Sequence, residues 1–371
     1  MIISALNASQ QGRQIKQIEG DSEFMETILT LEDHTALIDS VTRLLVDRCS
    51  EDDVRRIMDG DSGHDPELWR ALAELGVIGL TAPMALGGLG LGPVEMALVM
   101  EVAGAWLLPV PLLSAFVATA LLDGERLATL ADGSRLFAVA FTGSRDWTGR
   151  DEVRLDGGRL VGTARFVLDA AIADAILVAT DDAVFAFDRQ EVEVTPLPVF
   201  DRTRRMADVV LIGPGEKIGD GGRVDSAFNT ALVGLAAEQA GGARRIMQLA
   251  VDYARHRHQF GRAIGSFQAI KHMAADLLLE VENATSAARD AARQIAEGGA
   301  AQGASVALAA FTCGDTFVRC SKDAIQMHGG IGFTWEHPAH LYLRRARSGA
   351  QLFGDGAHWR DRYILALEAE A

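Results

Sequence analysis

The sequence predicts an α+β protein in three parts: an N-terminal helical domain, a middle antiparallel β domain and a C-terminal four-helix bundle. Three observations predict it. Apolar residues recur at three- and four-residue intervals up to about Gly124, short alternating or apolar runs bounded by turn signals follow, and the helical period returns from Ser226 almost to the C-terminus. With 371 residues, 49% of them hydrophobic, the chain can bury a large core shared by two or three domains. These changes of period set the expected boundaries: a flexible tail at 1–22, the helical domain at 23–132, the β domain at 133–224 and the bundle at 225–371.

The tail is polar, Gln-rich and aperiodic. In the first domain Leu37, Ile38, Val41, Leu44 and Leu45 form one apolar helical stripe, and Leu68, Leu72, Leu75 and Val77 begin another. Between helices, Pro83-Met-Ala-Leu-Gly87-Gly88-Leu-Gly90-Leu-Gly92-Pro93 is a loop, because its glycines and prolines stop any regular element. Strands are expected at 136–141, 153–155, 160–161, 165–168, 175–179, 184–187 and 192–194, separated by turns such as Asp156-Gly157-Gly158. Strands so closely spaced, without intervening helices, indicate a sandwich or barrel. In the last part, the run from Leu232 to Ala254 and the run from Phe267 to Ala288 are long amphipathic helices; Ser266 is the expected N-cap of the second, and Gly298-Gly299 its end.

Charge and composition exclude several classes of function. A formal net charge of −16 with no basic stripe is unsuited to nucleic acid or to an anionic membrane surface. The longest apolar runs are broken by Gly, Pro or charge, so no membrane span is expected, and no secretory leader is read at the N-terminus. Cys49, Cys313 and Cys320 make neither a CxxC pair nor a disulfide framework, which suits a reducing cytosol. His256 with His258, and His337 with His340, lack an acid or Cys cluster at ligand spacing, so no metal is expected.

Two segments carry the chemistry. Tyr253-Ala-Arg-His-Arg257-His-Gln259-Phe260-Gly261-Arg-Ala-Ile264-Gly265-Ser-Phe-Gln268 and Gln326-Met-His-Gly329-Gly330-Ile-Gly332-Phe333 each pair a potential phosphate partner with glycines that let another molecule approach the backbone. Together with Ala275-Asp276, they resemble the two FAD-binding segments of the acyl-CoA dehydrogenase family, and the α, β, α order of the chain is that family's order. The resemblance implies that Arg257 pairs with the FAD pyrophosphate, that Gln259 and Phe260 lie beside it, that Gln268 and Gln326 hydrogen-bond the ADP moiety, and that Gly329 and Gly330 permit close approach. It also implies that these contacts are made in trans, to a flavin whose ring lies in a neighbouring subunit.

The ring-binding half departs from the family pattern. Thr142-Gly143-Ser144-Arg145-Asp146-Trp147 stands where the family has a Thr-Glu-Pro-Gly-x-Gly-Ser-like loop, and Phe166-Val167-Leu168 where it has a Trp-Ile-Thr-like segment. Leu168 therefore lacks the hydroxyl that the family places near flavin N5. In the family a carboxylate abstracts the α-proton of an acyl-CoA thioester while the β-hydrogen leaves as hydride. Aligned on Tyr342-Leu-Arg-Arg-Ala-Arg347, the position of that Glu is Gly354, and the family's alternative position is Leu235. Asp355 lies one residue further on and is the candidate catalytic base of this chain. Being shorter by a methylene, it has to reach within about 2.6–3.2 Å of the proton. Glu238, displaced about 4.5 Å along the helix from Leu235, is a second candidate.

The resemblance is thus to the non-catalytic Phe-Gly-Asp type subunit of bacterial heterotetrameric acyl-CoA dehydrogenases. It implies an FAD-dependent, cytoplasmic α2β2 enzyme acting on a bulky or steroid side-chain acyl-CoA, with a paralogous subunit carrying the catalytic Glu and an electron-transferring flavoprotein as acceptor. Two alternatives stay open: a self-sufficient homo-oligomeric dehydrogenase using Asp355, and a flavin-free scaffold of the same fold.

Overall fold

Eleven helices and ten strands build the described part of the chain, which in this computed structural model comprises residues 30–150 and 152–370. The tail expected at 1–22 lies outside the described residues. In the first domain local signals set the ends of helices. Thr30 and Ser50 close capping boxes with Asp33 and Asp53 at the starts of α1 (Leu31–Arg48) and α2 (Glu51–Asp59). Asp65 caps α3 (Pro66–Leu75), which has Pro at its first position and ends at Gly76 in the left-handed conformation, φ 88°. The loop 83–93 folds back tightly on residues 79–82, with Gly90 N–H donating to Ala82 O at 2.9 Å and Leu91 N–H to Leu80 O at 3.0 Å.

Three further helices, α4 (Pro93–Ala105), α5 (Leu112–Thr119) and α6 (Gly124–Ala131), complete the domain. Helix α4 buries residues on all sides, from Met96 to Met100, because it lies between the other N-terminal helices and the C-terminal bundle. Its crossing with the first bundle helix, α7 (Val224–His256), requires glycine on both sides. A Cβ at Gly104 would lie 1.9 Å from Glu238 O, and one at Gly241 the same distance from Glu101 O. This backbone-to-backbone contact fixes the α7 turn that carries Glu238.

The β domain consists of two four-stranded sheets. One is ordered β1 (Phe137–Phe141), β4 (Ala175–Ala179), β5 (Ala183–Asp188), β8 (Glu216–Asp220); the other β2 (Arg154–Asp156), β3 (Arg159–Leu168), β7 (Met206–Gly213), β6 (Glu193–Pro196). All pairings are antiparallel but one: β1 runs parallel to β4, Phe137 facing Ala175, and both strands are buried throughout. The runs 160–161 and 165–168 are one strand, β3, interrupted by a bulge between Ala164 and Val167 that turns Phe166 to φ 52°. Strands β7 and β8, not singled out in the sequence, fill the remaining places.

Helices α7, α8 (Gln268–Glu297), α9 (Gln302–His328) and α11 (Gly356–Glu370) form the bundle, with the short α10 (Ala339–Gly349) crossing it. Gly298 ends α8 at φ 65°, as expected. Ser266 does not cap it: residues 264–266 form a 3₁₀ turn, Ser266 Oγ donates back to Ala263 O at 2.7 Å, and Phe267 holds the cap position without a side-chain bond. One core runs from α1 through β1 and β4 into the bundle, and a smaller one lies between the two sheets.

Candidate functional site

The residues expected to hold ADP all face solvent at one end of the bundle. Arg257 ends α7, and Gln259 to Arg262 form a two-residue hairpin between the short strands β9 (His258–Gln259) and β10 (Arg262–Ala263), tied down by Ile264 N–H donating to Arg257 O at 2.8 Å. Both turn residues, Phe260 (φ 52°) and Gly261 (φ 76°), are left-handed. A phenylalanine in that region is strained, and its ring is held 89% exposed. Gln268 begins α8, Gln326 lies in the last turn of α9, and Gly329 and Gly330 follow in a 3₁₀ turn with nothing within 4 Å of where a Cβ would sit. The two segments meet where Tyr253 packs on His328, ring centres 4.6 Å apart. Exposed Phe333 and Trp335 continue this face.

A separate cleft of about 1570 Å³ opens between the β domain and the bundle, and none of those seven residues lines it. Its wall is aromatic. Phe353, at φ 60°, inserts among Phe141, Trp147 and Phe228 with ring centres 6.0–6.2 Å away, and Trp147 lies 6.1 Å from Phe166. Thr142, the retained hydroxyl of the loop after β1, is buried and donates to Ala179 O at 3.1 Å. Leu168 and Leu235 are buried apolar residues.

Gly354, at the usual place of the catalytic Glu, has φ 114°, and a Cβ there would lie 2.8 Å from Trp359 Nε1 and 3.0 Å from His358 Cδ2. Trp359 cannot easily withdraw, since Nε1–H donates to Phe353 O at 3.2 Å. We therefore expect Gly354→Glu to lower stability by about 2–3 kcal/mol, read from the urea midpoint, and to leave acyl-CoA oxidation by the isolated chain at background. Wild-type stability with new turnover would refute this.

Three carboxylates border the cleft, and each is engaged. Asp355 heads α11, its Oδ1 accepting from His358 N–H at 2.9 Å, and is exposed. Asp225 accepts from Arg145, and Asp146 from the backbone N–H groups of Thr148 and Arg150. Glu238 is not in this cleft: it is buried and paired with Arg204, and Arg345 Nε lies 3.6 Å from both Glu238 Oε1 and Asp201 Oδ2. With both carboxylate oxygens turned toward guanidiniums and no place on the cleft, Glu238 is not positioned as the base.

Asp169 borders the same buried cluster and accepts from Ser114 Oγ at 2.6 Å. Burial holds its carboxyl above the usual carboxylate range, against the Ser114 hydroxyl and the Arg204 and Arg345 charges. Burial also lowers Arg204; at Arg345 burial is outweighed by Glu238, Asp201 and Asp169, and the net shift is upward. Both guanidiniums remain cations. This cluster was not anticipated from sequence, although the charged runs 201–205 and 344–347 supply three of its members.

Behind the Gly-rich turn, His328 packs on His337 with ring centres 4.1 Å apart, and its Nδ1–H donates to Ala324 O at 2.7 Å. Burial, with His328, His340 and Arg55 nearby, lowers His337 to about 4, and its Nδ1 accepts from Ala339 N–H. It is a neutral packing group at ordinary pH. Among the described residues no three His, Cys, Asp or Glu side chains are grouped to hold a metal ion.

Residues 31–126 match the family model for the acyl-CoA dehydrogenase N-terminal domain, and residues 219–362 that for the C-terminal domain. Over 328 residues the chain is 34% identical to acyl-CoA dehydrogenase IpdE2 of Mycolicibacterium smegmatis, covering 87% of this chain and 95% of the relative. The ChsE4-ChsE5 complex from Mycobacterium tuberculosis contains a chain of 28% identity and TM-score 0.84, covering 92% of this chain and 99% of that one. A variant of the Tcur3481-Tcur3483 steroid ACAD gives 26% identity and a TM-score of 0.81, over 91% and 98% of the two chains.

Proposed function

Because this chain belongs to the acyl-CoA dehydrogenase family, we propose that it is the subunit of a hetero-oligomeric enzyme that grips the ADP end of FAD, while a paralogous partner supplies the ring pocket and the catalytic Glu. One observation carries the reading. Arg257, Gln259, Phe260, Gln268, Gln326, Gly329 and Gly330 are all exposed at one end of the bundle, and none of them lines the chain's own cleft. A cofactor held by them therefore extends outward, into another chain.

FAD is the family's cofactor and supplies the hydride acceptor when bound. The residues present fit its ADP end: an exposed guanidinium at Arg257, three exposed amides at Gln259, Gln268 and Gln326, and glycine backbone open to close approach. Within this reading Arg257 neutralises pyrophosphate charge, Gln268 and Gln326 orient the ADP moiety, and Phe260 covers it from water. The exposed rings of Phe260, Phe333 and Trp335 suit a subunit contact around that cofactor. The engaged carboxylates and the crowding at Gly354 support placing the proton-abstracting group in the partner.

The partner reading, an α2β2 assembly, draws support from a structural neighbour that is a complex of two chains, ChsE4 and ChsE5. A bulky or steroid side-chain substrate draws support from the neighbour described as a steroid ACAD. An electron-transferring flavoprotein as acceptor and a cytoplasmic setting belong to the same proposal; the buried free cysteines suit the latter, and among the described residues no helix is long and apolar enough to cross a membrane.

The test is to purify the chain alone and together with a paralogous acyl-CoA dehydrogenase subunit from the same genome, and to measure bound flavin and acyl-CoA oxidation. Flavin and turnover are expected only in the complex. Turnover by the isolated chain, abolished in Asp355→Asn, would replace this reading with a self-sufficient enzyme. Absence of flavin from every combination would leave a scaffold.

A further inference from the structure

Where the three domains meet, four polar side-chain atoms are buried without a hydrogen-bond partner: Asp201 Oδ2, Arg204 Nη1, Glu238 Oε1 and Arg345 Nε. Their side chains are more than nine-tenths buried. The other atoms of the same groups are well placed, which shows that the cluster is built and not a packing accident. Arg204 Nη2 pairs with Glu238 Oε2, Arg345 Nη2 donates to Leu108 O at 3.3 Å, and Asp201 Oδ1 accepts from Thr203 N–H at 3.0 Å. Beside them is a cavity of about 20 Å³ bordered by Arg204, Glu238, Arg345 and Asp169 together with Met100, Leu113 and Leu168.

Charge and size narrow the occupant. Arg204 and Arg345 face the carboxylates of Glu238 and Asp201, and Asp169, whose carboxyl burial holds above the usual carboxylate range, borders the same cavity, so opposite charges are closely matched and leave little for an ion to neutralise. One water needs about 10–15 Å³, and it can accept two hydrogen bonds and donate two. The orphaned atoms supply two donors, the Arg204 and Arg345 N–H groups, and two acceptors, Glu238 Oε1 and Asp201 Oδ2. Arg345 Nε lies 3.6 Å from each of the two acceptors, too long for a direct hydrogen bond, so each of these atoms keeps an unmade bond that a water seated beside them can complete.

We propose that these four atoms close around one buried water molecule, and that the charged cluster so completed fills the chamber between α4, β3 and α7 in place of any acyl group. The water stands on the four atoms alone. The exclusion of an acyl group from this chamber rests on the functional reading above: Leu168 holds the position that the family resemblance sets near flavin N5, and the α7 turn that ends at Glu238 begins at Leu235, the family's alternative base position. The cavity beside Leu168 and Glu238, about 20 Å³, has room for a water and not for an acyl chain. The four atoms belong to the β domain (Asp201, Arg204) and the bundle (Glu238, Arg345), and Arg345 Nη2 also donates to Leu108 O of the N-terminal domain, so the cluster touches all three.

A high-resolution crystal structure of the co-purified complex, before and after soaking with octanoyl-CoA, tests both parts. The expected result is one water within hydrogen-bond distance of at least three of the four atoms, unchanged by the soak. Direct contacts from Arg345 to Asp201 and Glu238 with nothing between them would overturn the water site. Acyl density in this chamber with the ion pairs broken would overturn the exclusion. In the paired replacement Arg204→Met/Glu238→Leu, which keeps volume while removing both charges, the water is expected to be lost, and its retention would also overturn the four-atom site. Failure of the functional reading registers separately, as turnover by the isolated chain whatever this chamber holds.

Discussion

Glu238→Ala is expected to lower the unfolding free energy by about 3–5 kcal/mol, the usual consequence of removing one partner from a buried ion pair. The loss comes less from the missing attraction than from what remains: Arg204 and Arg345, both buried, would face each other without the carboxylate that lies between them. The substitution also leaves a cavity beside a helix crossing that cannot tighten, since Gly104 and Gly241 already put the α4 and α7 backbones in contact. Urea denaturation of the isolated chain, followed by circular dichroism and tryptophan fluorescence, measures the change. Arg204→Met/Glu238→Leu is the control, expected to recover most of the loss because it removes both charges together. A loss under about 1 kcal/mol in Glu238→Ala would mean that solvent reaches the guanidiniums and that the cluster contributes little.

Arg257→Ala is expected to weaken FAD retention by the co-purified complex by roughly 10- to 100-fold, from the loss of a charge-assisted hydrogen bond of about 1.5–3 kcal/mol. Fold stability should be unchanged, because Arg257 is exposed at the end of α7 and only its backbone takes part in the hairpin. Arg257→Lys should recover part of the affinity, since an ammonium keeps the charge but not the two-pronged geometry. Flavin fluorescence released on dilution reads all three proteins. Full retention in Arg257→Ala would remove the trans contact and with it the main support for the proposed role.

How much of this was legible in the sequence differs by element. The α1 and α3 stripes, the Gly298 stop and most strands were readable because periodicity and left-handed glycines are local properties. Ser266 was misplaced as a cap because its hydroxyl found a nearer acceptor, Ala263 O, in a 3₁₀ turn. Strands 160–161 and 165–168 read as two because a bulge breaks the alternation without breaking the ladder. Gly354 was legible as a missing acid, but nothing local indicated that Trp359 and His358 crowd the place a side chain would take.

By itself the sequence determined the family, the order of helical and β domains, the candidate residues for gripping ADP and the absence of a Glu at the usual position. Each of these is written in contiguous motifs or in the period of a single element. Only the tertiary structure decided that those candidate residues lie away from the chain's own cleft, and that Glu238 is locked between Arg204 and Arg345. The physical reason is that both are facts about distance between remote segments. Residues 204, 238 and 345 are brought together by the crossing of α4 with α7 and by the docking of the β domain, and no pattern within any one segment encodes that meeting.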